Sequence, residues 1–316
     1  MSDDIYPVEL TPPDISAYQV GNTGIDYATT FESGVAGPHV MVNAVTHGNE
    51  LCGATTLDYL FHHDLRPTRG KLTLSFANYM AFLRFDAAYP ATSRFVDEDF
   101  NRLWSADVLD GDRDSVELVR AREMRPLIDQ ADYLLDIHSM QTSIAPLMLA
   151  GPLEKGRAFA RAIGYPEHVV LDEGHAAGRR MRDYAAFGDP ASEKNALLIE
   201  AGQHWEESTA DVALETTLRF LDHLGVIDPE FVAENTADEP GPQKFIEVTA
   251  AVTIRHDVFT FAEAYVGLEV IPKAGTVLGH DGDEPVTTPY DDCVLIMPSR
   301  RLLPGQTAVR LGRFVE

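Results

Sequence analysis

The feature that most constrains the fold is the regular alternation of strand-like and helix-like segments between residues 38 and 225. Nearly continuous apolar runs, typical of strands buried on both faces of a sheet, occupy residues 39–45, 133–138 and 196–200. Apolar side chains near a period of 3.6, which indicate helices, recur over residues 50–65 and 114–131. This alternation predicts an α/β fold with a mixed, mostly parallel sheet and helices on both faces.

The sequence changes character after residue 227. Residues 228–243 are rich in Glu, Asp, Pro and Asn, which indicates a linker. From residue 244 onward, short strand-like runs are separated by proline and glycine, and no long helical period is present. We therefore predict an α/β domain over residues 1–227, a linker over 228–243 and a small all-β domain over 244–316.

The composition excludes several classes of partner. The 316 residues include 25 Lys and Arg and 50 Asp and Glu, which gives a formal charge of −25. Nucleic acids and anionic lipids both require a basic surface, so neither is expected to bind. No apolar run approaches the roughly 20 residues that span a bilayer, and the acidic start shows no signal peptide. Because Cys52 and Cys293 are too few for a disulfide scaffold, we expect a cytoplasmic protein. The sequence is also compatible with a protein that forms a homo-oligomer.

Two short motifs place potential metal ligands directly after predicted strands. His47 and Glu50 are three residues apart in the turn that follows residues 39–45. Asp136 and His138 end another strand and point to the same face, where a carboxylate can orient a ligating imidazole. Because the carboxyl ends of strands carry the binding sites of open α/β sheets, these side chains can converge. Taken singly, each motif is equally compatible with ordinary polar residues at a strand end.

A carboxylate and two arginines add to this set. Glu200 ends the apolar run 196–200, where a carboxylate is costly unless it is paired or functional, and a partly desolvated one can act as a general base. The segment 94–102 contains Arg94, Asn101 and Arg102, which can bind carboxylates or polarise a carbonyl group. The alternative for Glu200 is a carboxylate at a strand end that simply reaches solvent. The alternative for residues 94–102 is a solvated loop held by local salt bridges.

Together these residues indicate metal-assisted hydrolysis of an amide. Two histidines and one glutamate are the protein ligands of a catalytic zinc with an open fourth position. A separate glutamate can supply the base, and arginines can stabilise the developing oxyanion. We therefore predict one Zn²⁺ per chain, held by His47, Glu50 and His138.

The same motifs resemble those of the succinylglutamate desuccinylase/aspartoacylase family, a branch of the zinc carboxypeptidase-like fold. The resemblance is carried, in the order of the family, by His47-Gly-Asn-Glu50, the segment from Arg94 to Arg102, Asp136-Ile-His138 and Ile199-Glu-Ala-Gly202. It covers residues 38–225 well and the C-terminal β region more loosely. It implies a zinc hydrolase domain whose active site is capped by the small β domain.

The resemblance also implies a role for each matching residue. His47, Glu50 and His138 would hold zinc. Glu200 would activate the zinc-bound water and pass its proton to the leaving amine, while Arg94 would polarise the scissile carbonyl. Asn101 and Arg102 would hold a carboxylate of the substrate. Tyr290 is the candidate for a late tyrosine that contributes to the sites of the family.

The sequence departs from the family where an acidic acyl group is selected. The family has a further arginine and tyrosine shortly before the catalytic glutamate, and this chain has Ala186 and Pro190 at those offsets. Arg182 and Tyr184 are candidates to replace them, at a different spacing. We expect His204, which follows Glu200 closely, at the surface rather than in the pocket.

These features predict a zinc-dependent amidohydrolase that cleaves the amide bond of a small, anionic N-acyl amino acid or a related amide. A zinc carboxypeptidase that acts on a peptide C-terminus is the alternative within the same chemistry. A non-catalytic binding module with the same fold is the alternative from another class. The intact set of ligands and base counts against the binding module, because that hypothesis predicts the loss of one of them.

Overall fold

The structure is a computed structural model that describes residues 6–174, 177–237 and 240–316. The acidic start of the chain and two residues of the predicted linker lie outside the described residues. Of the helices that the structure describes, none is both long enough and apolar enough to cross a membrane.

The helices and strands follow each other in the order that the sequence predicts for the α/β region. The strands are β1 (Ala28–Glu32), β2 (His39–Ala44), β3 (Lys71–Phe76), β4 (Tyr133–Met140), β5 (Leu147–Leu149), β6 (His168–Leu171), β7 (Asn195–Gln203), β8 (Lys244–Thr253), β9 (Phe259–Phe261), β10 (Val270–Ile271), β11 (Val277–Asp281), β12 (Glu284–Thr287), β13 (Cys293–Ile296) and β14 (Thr307–Val315). The helices are α1 (Leu51–His62), α2 (Tyr79–Phe82), α3 (Ala106–Leu109), α4 (Val116–Gln130), α5 (Glu154–Ile163), α6 (Ser208–His223) and α7 (Pro229–Asn235).

One large sheet organises the molecule, with the strand order β1-β3-β2-β4-β7-β5-β6-β8-β14-β13-β10. Five neighbouring pairs are parallel, namely β3–β2, β2–β4, β4–β7, β5–β6 and β6–β8. The other five pairs are antiparallel, namely β1–β3, β5–β7, β8–β14, β14–β13 and β13–β10. The predicted mixed sheet is therefore confirmed, and within the α/β region four of the six described strand pairs are parallel.

Helices cover both faces of the sheet, as predicted. Val40 and Val42 of β2 belong to a core that includes α1 and α6, whereas Met41 belongs to a second core that includes α4. Neighbouring positions of β4 divide in the same way, with Leu135 in the first core and Leu134 in the second. Because successive side chains of a strand point to opposite faces, burial on both sides requires an apolar residue at nearly every position.

The C-terminal region continues the large sheet. Strand β8 pairs in parallel with β6 and antiparallel with β14, while β9, β11 and β12 form a separate three-stranded antiparallel sheet. Ile246 and Ile296 pack in one core with Met140 and Leu198 of the α/β region. Helix α7 lies within the segment that the sequence indicates as a linker, and Asp228 caps its first turn. The domain boundaries at residues 227 and 244 stay a prediction.

This topology places three strand ends side by side. Strands β2, β4 and β7 are neighbours in the middle of the sheet and run in the same direction. The turn into α1 follows β2, and His138 of β4 is directly opposite Glu200 of β7. The residues that the sequence singles out for chemistry therefore meet at one edge of the sheet.

Candidate active site

Three side chains that can bind a metal meet at the carboxyl ends of β2 and β4. Nδ1 of His47 lies 2.7 Å from one carboxylate oxygen of Glu50, and Nδ1 of His138 lies 2.9 Å from the other. Potential ligand atoms of all three residues lie within 4.8 Å of one another, and all three residues are buried. The structure thus brings together the metal ligands predicted from the sequence.

The turn that carries His47 and Glu50 is packed tightly against backbone from residues 81–94. A Cβ atom on Gly48 would lie 2.3 Å from the backbone of Ala81 and 2.5 Å from that of Ser93. The backbone N–H of Gly48 also donates to the carbonyl oxygen of Arg94 over 3.0 Å. Glycine is required here because backbone packs directly on backbone, and this contact joins the candidate ligands to the segment that contains Arg94.

Asp136 holds His138 in one orientation. Its Oδ2 lies 2.8 Å from Nε2 of His138, and its Oδ1 accepts hydrogen bonds from Asn43 and Thr46 over 2.8 and 2.9 Å. With Nε2 engaged by Asp136, Nδ1 of His138 faces Glu50. Burial alone would lower the pKa of His138, but the charges of Asp136 and Glu50 outweigh burial and raise that pKa well above its ordinary value.

Arg94 and Asp99 support the opposite side of the cluster. Nη2 of Arg94 donates to Asp99 over 3.0 Å, and the other oxygen of Asp99 lies 3.0 Å from Nε2 of His47. Nη1 of Arg94 lies 3.4 Å from Glu50. Burial alone would raise the pKa of Asp99, but the charges of His47 and Arg94 hold it well below its ordinary value. The guanidinium of Arg94 therefore lies at the edge of the candidate metal site.

Asn101 and Arg102 lie in the short helical turn that follows. The side-chain oxygen of Asn101 accepts a hydrogen bond from the backbone of Met181 over 2.8 Å, and Nη1 of Arg102 donates to the carbonyl oxygen of Asn101 over 2.8 Å. Burial lowers the pKa of Arg102 to about 10. Both residues line the same cavity as Arg94 and the candidate ligands.

Glu200 faces this cavity from β7. It is 8% exposed, and its Oε2 has no hydrogen-bond partner within the described ranges of the chain. Burial raises the pKa of Glu200 to about 8. A buried carboxylate oxygen without a partner, next to the candidate metal ligands, is placed to accept a proton.

The cavity has a volume of about 160 Å³ and includes side chains that the sequence analysis did not assign to the site. The additional polar residues that line it include Ser139, Arg180, His204, Arg301 and Arg310. Arg301 and Arg310 come from the C-terminal region, so residues far apart in the chain complete the cavity. No local pattern around them signals this placement, because it depends on the pairing of β14 with β8.

Asp172 holds two of the additional arginines. It accepts a bidentate pair of hydrogen bonds from Arg180 over 2.8 and 3.0 Å, and Nε of Arg310 lies 3.5 Å from it. Arginines at 179, 180 and 182 are visible in the sequence as a basic run in an acidic chain. Which of them faces the cavity is set by the helical turn Met181–Asp183, and no sequence pattern reveals it.

His204 corrects one expectation of the sequence analysis. It is 3% exposed rather than at the surface, and its Nδ1 lies 2.8 Å from the hydroxyl of Ser139. Burial lowers the pKa of His204 to about 3, which keeps the imidazole neutral. The strand β7 continues past Glu200 to Gln203, so the next residue is still covered by the protein.

Three other candidates lie elsewhere. The hydroxyl of Tyr290 is hydrogen-bonded to Thr249 over 2.5 Å, and in the described structure Tyr290 does not line the cavity. Arg182 donates to the carbonyl oxygens of Ala150 and Ala196, and the hydroxyl of Tyr184 contacts Arg125 and Asp129. Neither residue lines the cavity within the described structure, and whether either takes the place of the family's arginine and tyrosine stays a prediction.

The fold and the site together define a class of protein. It is an α/β protein that presents a His-Glu-His cluster, a buried glutamate and several arginines at the carboxyl ends of its central strands. Such a donor set, with a neighbouring carboxylate, is the one that hydrolytic metal sites use.

The chain belongs to the succinylglutamate desuccinylase/aspartoacylase family, whose catalytic domain matches residues 36–224. This confirms the family predicted from the motifs. The members of the family are deacylating hydrolases, which supports an enzyme that acts on amide bonds.

Individual relatives agree with this assignment. The chain is 22% identical over 289 residues to a succinylglutamate desuccinylase of Vibrio vulnificus. The aligned residues cover 85% of this chain and 79% of the relative. The fold is similar to that of a succinylglutamate desuccinylase from Vibrio parahaemolyticus, with a TM-score of 0.67, 20% identity and coverage of 89% and 82% of the two chains. It is also similar to the ectoine utilization protein EutE (DoeB) from Ruegeria pomeroyi, with a TM-score of 0.61, 17% identity and coverage of 90% and 88%.

Proposed function

We propose that this protein is a zinc-dependent amidohydrolase that cleaves the amide bond of an N-acyl amino acid or a related small amide. The observation that carries the proposal is the buried cluster of His47, Glu50 and His138 beside the unpartnered carboxylate oxygen of Glu200. Membership of the family supports the hydrolysis of an amide, and the proposed mechanism is based on these residues.

The residues present fit a zinc ion. Two imidazole nitrogens and one carboxylate form the protein ligand set of catalytic zinc sites that keep an open position. Asp136 orients His138 and Asp99 contacts the outer nitrogen of His47, so each imidazole turns its other nitrogen toward Glu50. Zinc held there would act as a Lewis acid and would lower the pKa of water toward neutrality.

The remaining residues perform the proton transfers and position the substrate. Glu200 accepts a proton from the attacking water and passes it to the nitrogen of the leaving amine. Its burial suits this role, because a base with a raised pKa can also return the proton. Arg94, held by Asp99, donates a hydrogen bond to the scissile carbonyl oxygen as negative charge develops there.

The shape of the cavity favours a small anionic substrate. Asn101 and Arg102 lie where a substrate carboxylate can be bound, and Arg102 presents a planar guanidinium to it. Residues from 297–310 of the C-terminal region cover part of the cavity, which supports a small substrate over a long peptide. The two free, buried cysteines fit a reducing compartment, so we place this activity in the cytoplasm.

The first test combines a substrate panel with control of the metal. Purified protein is assayed against N-acetyl, N-succinyl and N-formyl amino acids and against dipeptides, before and after complete chelation and after zinc is returned. We expect hydrolysis of an N-acyl amino acid that is lost on chelation and restored by zinc. Full activity after zinc removal would contradict the metal mechanism, faster cleavage of dipeptides would favour the carboxypeptidase, and no cleavage at all would favour a binding module.

The role of Glu200 is tested by the substitution Glu200→Gln. Removal of a general base lowers kcat by about 10²- to 10⁴-fold, while the zinc content should stay at one per chain because the ligands are unchanged. Glu284→Gln, at an exposed carboxylate on β12, is the matched control and should retain full activity. A Glu200→Gln variant that turns over normally would exclude Glu200 as the base.

A further inference from the structure

The segment 94–102 carries four of the side chains that line the cavity. Arg94 begins it, and Asp99, Asn101 and Arg102 lie at its end. Its last three residues form a short helical turn, whereas residues 94–99 belong to no helix or strand. Because no regular ladder of backbone hydrogen bonds holds residues 94–99, their positions must be set by other contacts.

A buried carboxylate outside the cavity supplies these contacts. Glu117 is fully buried, and one of its carboxylate oxygens accepts a hydrogen bond from the backbone N–H of Val96 over 2.6 Å. The other oxygen accepts from the backbone N–H groups of Asp97 and Glu98 over 3.0 and 3.2 Å. Three successive N–H groups that converge in this way form a concave site suited to an anion. The chain fills this site with its own carboxylate.

The bend of residues 96–98 and helix α4 also hold each other. Glu117 lies in the first turn of α4, where the helix dipole and the free N–H groups favour a negative charge. In return, the side chain of Asp97 accepts a hydrogen bond from the backbone N–H of Val116 over 2.7 Å. Leu118 of α4 belongs to the same apolar core as Met41 of β2, so the bend is attached to the central sheet.

This bend determines where the guanidinium of Arg94 lies. The carbonyl oxygen of Arg94 is fixed by the N–H of Gly48 over 3.0 Å, and Asp99 accepts a hydrogen bond from Nη2 of Arg94 over 3.0 Å. Residues 96–98 lie between these two anchor points, so their conformation decides whether Asp99 returns to the guanidinium. Glu117 itself does not line the cavity within the described structure, and its influence on the site passes through this segment.

We propose that Glu117 is a positioning residue, which sets the bend of residues 96–98 and thereby directs the guanidinium of Arg94 toward the scissile carbonyl. This inference rests on the proposed function and deepens it, because it names a residue outside the cavity on which turnover depends. Both carboxylate oxygens are needed as acceptors. In Glu117→Gln an NH₂ group would face a backbone N–H, which leaves at least one buried donor without a partner and displaces the bend.

The experiment is a double-mutant cycle of Glu117→Gln with Arg94→Gln, assayed on the N-acyl amino acid that the panel prefers. A displacement of a positioned group by about 1 Å can cost about 10²-fold, so we expect Glu117→Gln alone to lower kcat roughly tenfold to hundredfold. In the Arg94→Gln background the same substitution should have little further effect, because the guanidinium that the bend positions is already absent. A residue with a merely structural role would lower the activity of both backgrounds by the same factor.

Hydrogen exchange measures the bend itself, independently of activity. The backbone N–H groups of residues 96–98 should be protected in the wild type and should exchange faster in Glu117→Gln, while β4 and β7 keep their wild-type rates. If Glu117→Gln does not fold, Asp97→Ala takes its place in both measurements, because it weakens the same bend from the side of Val116.

Glu123→Gln is the matched control. It changes an exposed carboxylate on the same helix, 3.3 Å from Arg120, and it should keep the wild-type kcat and exchange rates. The inference is overturned if the variant of the bend turns over at the wild-type rate, if it lowers activity equally with and without Arg94, or if the exchange of residues 96–98 is unchanged. Failure of the proposed function is distinguishable, since then the wild type itself cleaves no amide in the panel.

Discussion

At the scale of single residues, two carboxylates of the candidate site are suited to different tasks because their surroundings differ. Glu200 has an unpartnered oxygen, and burial raises its pKa to about 8. Asp136 is fully buried as well, but it is surrounded by hydrogen-bond donors from Asn43 and Thr46 and contacts His138. Glu200 is therefore suited to exchange protons, and Asp136 is suited to hold a fixed charge that orients an imidazole.

We predict that Asp136→Asn weakens zinc binding. An amide carries no charge to support the imidazole of His138, and loss of such a support typically costs about 10- to 100-fold in metal affinity. The measurement is a competition titration with a chelator of known affinity. Asp132→Asn is the control. Asp132 directly precedes β4, at the end remote from His138, and its side chain accepts a hydrogen bond from the backbone N–H of His39. Equal zinc affinities of the Asp136→Asn variant and the wild type would contradict this role.

At the scale of elements, a single carboxylate links three parts of the chain. Asp172 follows β6, receives Arg180 from the turn before β7, and lies 3.5 Å from Arg310 on β14. Burial alone would raise the pKa of Asp172, but the charges of Arg180 and Arg310 lower it below its ordinary value. The carboxylate thus holds both arginines in the cavity wall and contributes to stability.

We predict that Asp172→Asn lowers the free energy of unfolding by about 3 kcal/mol near neutral pH, because it removes the buried carboxylate that Arg180 and Arg310 share. Since the pKa of Asp172 is lower in the folded state, this contribution is complete above the unfolded pKa of about 4 and is lost as the pH falls through the folded value. The difference between variant and wild type in urea unfolding should therefore shrink in acid. Asp114→Asn, at an exposed pair with Arg122, should change stability little at any pH.

The strands and their connections also determine how much of the fold and the site could be predicted from the sequence. The runs that became β2, β4 and β7 are recognisable because both faces of these strands are buried, and their ends locate His47, Glu50, His138 and Glu200. The placement of Arg301 was not predictable, since it depends on strand pairs between distant segments. Tyr290 was selected by position in the chain alone, and its side chain is engaged with Thr249.

At the scale of the whole molecule, the acidity of the chain and the character of the site are separate properties. The formal charge of −25 repels small anions at long range, so the proposed anionic substrate would be held by short-range contacts with the arginines that line the cavity. Two of these arginines, Arg301 and Arg310, belong to the C-terminal region. The site is complete only when this region is folded onto the α/β part.

We therefore predict that the two regions unfold together. They share the large sheet through the β6–β8 pair and one apolar core that includes Leu198 and Ile296, so neither can open without exposing the core of the other. The two cysteines report on the regions separately, because Cys52 is buried in α1 and Cys293 is buried in β13. Pulsed thiol labelling across a urea series, followed by peptide mapping, should give the same midpoint for both. Labelling of Cys293 at clearly lower urea than Cys52 would show that the C-terminal region opens on its own, and loss of activity should then follow the labelling of Cys293 rather than that of Cys52.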